Sequence, residues 1–330
     1  MPIPLKVIVS LRGGLGNQLF QTAAALSVAE SGKVGLEWSL GKPQLNDIGK
    51  PEITSLKMPD RVILEDSRDP NWLERKAEGY LLRSSIEPRA IEMTHFFKKA
   101  SSILGRGVLS RYFRENRVPF SATDTGYVQI PASDSKSLLI GYFQSFRWAS
   151  NPSVKNELSA LSPRRFGNDY LQMVEHSMLE RPLVVHVRLG DYKGVKEYGL
   201  PTSKYYSNSI RKMLKEGDFG KIWVFSDEPE LASRIIPAEF ANQIRWIPLI
   251  SNSVSTTWSL MRFGKGYVIG NSTFSWWAAF LSHTQDAPVI APAPWFQNKK
   301  PPRDLIPPNW VQISAQYDLH DPDSINLNWR

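Results

Sequence analysis

Cysteine is absent from all 330 residues. Disulfide frameworks, thiolate zinc sites and thiol nucleophiles are therefore excluded. No stretch approaches the roughly 18 to 20 uninterrupted apolar residues that cross a bilayer. The opening MPIPLKVIVSLRGG is a short apolar run leading into glycines, and it reads as a first buried strand and not as a signal peptide. A cytoplasmic address fits these absences. There is no long Lys/Arg run, no RRM or zinc-finger pattern, and the five histidines show no metal-ligand spacing. Neither nucleic acid nor a resident metal ion is expected. The one Asp-x-Asp, Asp321-Pro322-Asp323, sits in a polar tail and fits a solvated turn.

What is present suffices for a sizeable core and two domains: 42% of residues are hydrophobic and 22% charged. Forty Lys plus Arg against thirty-two Asp plus Glu give +8. That balance favours anionic partners such as phosphates or an acidic membrane surface, and it equally fits a solvated surface. The most basic stretch, Phe96 to Arg117, sets Lys98, Lys99, Arg106, Arg111, Arg114 and Arg117 among Phe97, Leu104, Leu109 and Phe113. It can lie against a membrane or form a solvated helical hairpin.

From Arg181 to Pro292 short apolar runs alternate with helix-length segments, which predicts a doubly wound parallel sheet. Strands are predicted at 182–187, 221–225, 243–248, 266–270 and 287–291, with helices at 202–214, 230–236, 253–263 and 273–282. The first half opens the same way. Leu5 to Leu11 reads as a buried strand, a Gly-rich turn follows, and Asn17 to Glu30 carries Leu19, Ala23 and Leu26 on one helical face. A final run spans Leu138 to Phe143. The domain boundary is expected near residue 175, between Phe166 and Arg181. The Pro-rich segment Ala291 to Pro308 reads as neither a long helix nor a central strand, and it can return the tail to the first domain.

Three strand-to-turn motifs carry chemistry. Val184-Val185-His186-Val187-Arg188-Leu189-Gly190-Asp191 is a buried strand ending in polar residues, and ligands of open α/β sheets bind at such carboxyl ends. His186 and Arg188 leave the same face. Arg188 offers a planar fork for phosphate oxygens, or a structural ion pair with Asp191. In Gly270-Asn271-Ser272-Thr273-Phe274-Ser275-Trp276-Trp277 a strand opens into a helix, whose start is an anion site or simply a capped end. Trp276 and Trp277 read as core packing. In Trp223-Val224-Phe225-Ser226-Asp227-Glu228 a carboxylate at a strand end can accept from a guanine edge or a ribose, or cap the next helix. The turn Arg12-Gly13-Gly14-Leu15-Gly16-Asn17-Gln18 invites a dinucleotide reading. Leu19 occupies the place of the third glycine, and only Glu37 approaches the place of the ribose-binding acid, so a nicotinamide enzyme is a weak rival. Glycines at 14 and 16 would let a ligand approach the backbone.

Taken together, RGGLGNQLFQ, GYFQS at Gly141 to Ser145, HVRLGDY at His186 to Tyr192, FSDE at Phe225 to Glu228 and GNSTFSWW at Gly270 to Trp277 resemble the bacterial α-1,2-fucosyltransferases of glycosyltransferase family 11. The resemblance implies a GT-B-like α/β fold, two Rossmann-type domains whose parallel sheets face a cleft. Residues 1–175 would form the acceptor side and 176–330 the donor side. It implies GDP-fucose as donor, no metal, and an acceptor ending in β-galactose that is fucosylated at its 2-hydroxyl. Such a glycan belongs to an O-antigen or other surface polysaccharide, and a lipid-linked form would bring the enzyme to the inner membrane face. By resemblance Arg188 holds the departing diphosphate, His186 contacts the nucleotide, Asp227 reads guanine, and Ser272 and Thr273 bind phosphate. Asn17 reaches the reaction centre from the first domain. Gly14, Gly16, Asn271 and Phe274 complete the expected donor contacts. Where the family usually shows two arginines this chain has Leu189 in the second place, on the opposite face of the strand, where it should alter packing.

Inverting transfer requires stabilisation of the departing GDP and removal of a proton from the acceptor hydroxyl. Asp191 and then Glu197, both in the loop leaving the key strand, are the candidates for general base. Two rivals are a basic, non-catalytic polyanion-binding protein and a transferase of the same architecture using another sugar nucleotide.

Overall fold

The computed structural model describes residues 5–38, 43–65, 91–92, 117–122, 126–127, 130, 136–192, 195 and 197–317. The basic residues 96–116 and Asp321-Pro322-Asp323 lie outside these. Internal contacts divide the chain into two units, Met1–Leu161 with Pro302–Leu305, and Ser162–Pro301 with Ile306–Arg330. Each is a Rossmann-type α/β unit.

In the first unit, β1 (Leu5–Ser10), β2 (Lys33–Glu37), β3 (Val62–Leu64), β4 (Ile91–Glu92), β5 (Arg117–Ala122) and β6 (Lys136–Gly141) form a sheet in the order β3-β2-β1-β6-β5-β4. Among the described strands only the β4–β5 pair is antiparallel. Helix α1 (Leu15–Ala29) follows the Gly-rich turn and is buried nearly all round, beyond the single apolar face read from sequence. Its polar residues tolerate burial because they are paired. Gln18 donates to the carbonyls of Gly13 and Gln44 and accepts from Ile53 N–H. Gln21 joins the ends of β1 and β6, accepting from Arg12 N–H at 3.1 Å and donating to Gly141 O at 3.0 Å. Two short helices, α2 (Phe146–Ala149) and α3 (Pro152–Ser159), follow with Ser145 and Asn151 as N-caps.

The second unit begins with α4 (Asn168–Glu180), which a division at residue 175 would have cut. Its Tyr170 hydroxyl shares a 3.0 Å hydrogen bond with Ser259, and Asp169 accepts the Ser251 amide at 2.6 Å, both within this unit. Six parallel strands follow: β7 (Leu183–Val187), β8 (Ile222–Ser226), β9 (Ile244–Ile247), β10 (Gly266–Val268), β11 (Val289–Ala293) and β12 (Val311–Ser314). Their order, β12-β11-β10-β7-β8-β9, is the Rossmann order, with its switch point between β7 and β10. All five residues of β7 are buried, as a central strand covered on both faces requires.

Between the strands lie α5 (Ser203–Glu216), α6 (Pro229–Ile235), α7 (Val254–Met261) and α8 (Thr273–Phe280), within a few residues of the sequence expectation. From α5, Tyr205, Tyr206, Ile210 and Met213 pack on Leu183, Val185, Val187 and Leu189, each large side chain contributing roughly 1.5–3 kcal/mol. Leu189 is therefore core on the face opposite His186 and Arg188. Trp276 and Trp277 are fully buried. One strand departs from expectation, since β11 runs through Pro292 in the interior of the sheet. Its pairing with β10 ends at Ile290, and beyond that point only β12 continues, with Ile313 opposite Pro292. The missing N–H thus breaks no ladder on the β10 side.

Candidate functional site

The switch point gathers the motif residues of the second unit. His186 and Arg188 come from the end of β7, Asp227 follows β8, and Gly270 to Phe274 form the turn from β10 into α8. Two tyrosines of α5 fix this frame. Tyr206 donates to His186 O at 3.2 Å, Tyr205 to Ile269 O at 2.6 Å, and burial pushes both phenols up so that they remain donors. His186 O also accepts from Gly270 N–H at 3.1 Å, which ties β7 to the turn.

His186 is 4% exposed, and its ring lies 5.8 Å from that of Phe274. Burial, and secondarily the Arg188 charge, lowers its pKa to about 3, while Asp227 acts in the other direction. The imidazole is neutral near neutral pH, and its Nδ1 has no hydrogen-bond partner among the described residues. Arg188, with 27% of its side chain exposed, places a guanidinium nitrogen 3.1 Å from Asp227 Oδ2. Asp227 also accepts Leu189 N–H at 3.0 Å and Gly190 N–H at 2.9 Å. Expected as a guanine reader, it has both oxygens engaged by its own chain.

Ser272 is the N-cap of α8 and accepts from Phe274 N–H at 3.4 Å, with Thr273 as first helical residue. Asn271 is buried, and its amide donates to Tyr198 O and Gly199 O at 3.0 Å each. Expected as a donor contact, its side chain holds the loop that carries Glu197, and its buried Oδ1 has no partner among the described residues. Asn298 N–H anchors Glu197 O, and the Tyr192 hydroxyl donates to Asn271 O at 3.1 Å. Asp191 lies in a 3₁₀ turn, Gly190–Tyr192. Among the described residues no group of three or more His, Asp or Glu side chains could hold a metal ion. Nor is any described helix long and apolar enough to cross a membrane.

The remaining motif residues belong to the first unit. Gly13 has φ +68°, and a Cβ there would meet Asn17 Nδ2 at 2.5 Å. At Gly14, the N-cap of α1, a Cβ would meet Gln44 Oε1 at 2.5 Å. These glycines thus make room for protein side chains, and Gly16 is buried in α1. Gln144 donates to Asn17 Oδ1 at 2.9 Å, which leaves the Asn17 amide N–H group on the side of Gly13. From sequence GYFQS was only part of the resemblance, and the orienting role of Gln144 was not legible.

The family model for glycosyl transferase family 11 matches residues 127–314. The chain belongs to glycosyl transferase family 11. This family 11 transferase is 24% identical over 318 residues to an α-1,2-colitosyltransferase of Escherichia coli, an alignment covering 93% of this chain and 98% of that one. The O-antigen biosynthesis glycosyltransferase WbnK of Escherichia coli is 31% identical over 137 residues, covering 39% and 43%. Among solved structures, the Bradyrhizobium α-1,6-fucosyltransferase NodZ soaked with GDP-fucose aligns with TM-score 0.44 and 13% identity, covering 84% and 92%.

Proposed function

We propose that this family 11 transferase moves L-fucose from GDP-fucose, with inversion, to the 2-hydroxyl of a terminal β-galactoside in an O-antigen or similar surface glycan. The observation that carries the reading is the cluster at the switch point of the second sheet. There a guanidinium, a buried histidine with an unpartnered Nδ1 and the start of α8 meet at the carboxyl ends of β7 and β10. A diphosphate suits all three. Arg188 supplies fixed positive charge, the start of α8 supplies N–H dipoles, and neutral His186 offers a hydrogen bond to a ligand oxygen.

In this mechanism the leaving diphosphate gathers charge as the sugar–oxygen bond breaks, and Arg188 with the helix start stabilises it without a metal ion. Asp191 or Glu197, on the loop leaving β7, takes the acceptor proton. A lipid-linked acceptor at the inner face of a membrane would meet the +8 chain favourably.

The similarity to an α-1,2-colitosyltransferase along nearly the full length favours one second reading, colitose in place of fucose with the same linkage. Incubating the chelator-treated protein with a β-galactoside and either GDP-fucose or GDP-colitose, then assigning the product linkage by NMR, decides between them. An α-1,2-fucosyl product is expected. Transfer from GDP-colitose alone selects the second reading, and transfer only from a UDP- or ADP-sugar overturns both.

A further inference from the structure

We propose that Asn271 is a positioning residue for transfer: it fastens both ends of the loop that carries Asp191 and Glu197, and so holds the candidate general base at the carboxyl edge of the second sheet. This deepens the proposed function and rests on it.

The loop between β7 and α5 is a run of turns. Tyr192 N–H donates to Leu189 O at 3.1 Å, Val195 N–H to Tyr192 O at 3.2 Å, and Tyr198 N–H to Val195 O at 3.1 Å. Such turns fix the loop's local shape and leave its place on the sheet to outside contacts. Asn271, in the turn from β10 into α8, supplies these at two points. Its backbone carbonyl accepts the Tyr192 hydroxyl at 3.1 Å where the loop leaves β7, and its side-chain amide donates to Tyr198 O and Gly199 O at 3.0 Å each where the loop returns. Two carbonyl oxygens at that distance admit only the N–H side of the amide. At 1% exposed, the side chain cannot trade either bond for one to bulk water.

Further contacts converge on the same end of the loop. Gln297 N–H donates to Tyr198 O at 3.0 Å and Asn298 N–H to Glu197 O at 3.2 Å, so the backbone of the exposed Glu197 is held. Gly199 has φ +68°, and a Cβ there would lie 2.6 Å from Gln297 Cβ and 2.8 Å from Tyr317 Cδ1. Asn271 directly precedes Ser272, the N-cap of α8, so one residue sets both the start of that helix and the loop with the candidate bases. In the proposed transfer these two segments serve the leaving diphosphate and the acceptor proton, and a fixed spacing between them is what orientation contributes to rate.

The test compares wild type with Asn271→Asp, Asn271→Ala and Gly199→Ala. GDP binding is followed by calorimetry, and transfer is resolved into kcat and KM. All three variants should lose about tenfold or more in kcat while GDP affinity changes less than about threefold. The isosteric Asn271→Asp sets a carboxylate oxygen against two carbonyls and should lose more than Asn271→Ala; the opposite order contradicts donation by the amide. A loss of GDP affinity as large as the loss of kcat would make Asn271 a donor contact in place of a positioning residue, and an unchanged kcat would remove its role in transfer. Hydrogen exchange provides a readout independent of any nucleotide. The Tyr198, Gln297 and Asn298 amides should be protected in wild type and exchange at least about tenfold faster in Asn271→Asp, and equal protection contradicts the assignment. If Asn271→Asp does not fold, Asn271→Ala and Gly199→Ala carry the same comparisons. Failure of wild type to bind GDP would overturn the donor reading, and the exchange measurement would still decide whether Asn271 holds the loop.

Discussion

Arg188 and Asp227 form an ion pair of 3.1 Å at the carboxyl ends of neighbouring parallel strands, and the same carboxylate holds the backbone immediately after Arg188. In the proposed function this cation, held before any ligand arrives, meets the charge of the leaving group without reorganisation.

Arg188→Ala removes that cation. Transition-state stabilisation should fall by about 2 to 4 kcal/mol, on the order of a hundredfold or more in kcat/KM. Arg188→Lys keeps a charge and loses the fork, so its rate should lie between the two. Steady-state kinetics on the three proteins checks the order.

His186 links the site to pH. Its pKa of about 3 in the folded protein is below the ordinary value of 6.5, so between those pH values the unfolded chain binds a proton that the folded chain refuses. Stability from this group is complete above about pH 6.5 and is lost as pH falls towards 3, with a slope of up to about 1.4 kcal/mol per pH unit. His283, lowered to about 4 chiefly by burial, adds a loss of the same sign. Denaturant midpoints from pH 7.5 to 4.5 should fall more steeply in wild type than in His186→Gln.

Much of this site was legible because strands have a period of two. The alternation in β7 placed His186 and Arg188 on one face and Leu189 on the other, and the strand–helix alternation gave the second sheet. Less legible were contacts that depend on register between distant segments. Nothing local reveals Leu189 and Gly190 as partners of Asp227, or Tyr198 and Gly199 as partners of Asn271. Strands as short as Val62–Leu64, or carrying a proline as Arg117–Ala122 does, lack the apolar run that marks a strand. Gln18 and Gln21 look like a solvated helix face and are buried staples.

Leu189→Arg, which restores the second arginine usual in related sequences, should not improve this protein. It places a charge among Val185, Val187 and Tyr206, and should destabilise the fold by on the order of several kcal/mol. A shift of the denaturant midpoint at constant slope checks the magnitude.

Gln144 fixes which way the Asn17 amide faces. Gln144→Leu removes one hydrogen bond, about 1 kcal/mol, and should reduce kcat several-fold. Gln144→Glu sets an acceptor against Asn17 Oδ1, favours the turned amide and should reduce kcat further. Equal turnover in the two variants would show that the direction of the Asn17 amide is irrelevant.

The two candidate bases separate by turnover. Asp191→Asn is expected to lower kcat by about a hundredfold or more while leaving GDP affinity within a few-fold, and Glu197→Gln to do less. The reverse order transfers the role to Glu197.

Calorimetric titration of the chelator-treated protein with GDP, and in parallel with UDP, ADP and NAD, tests the central claim most directly. Selective binding of GDP without added metal is the predicted result. Absence of GDP binding, or preference for UDP or NAD, would contradict the assignment of a GDP-sugar to the β7–β10 switch point.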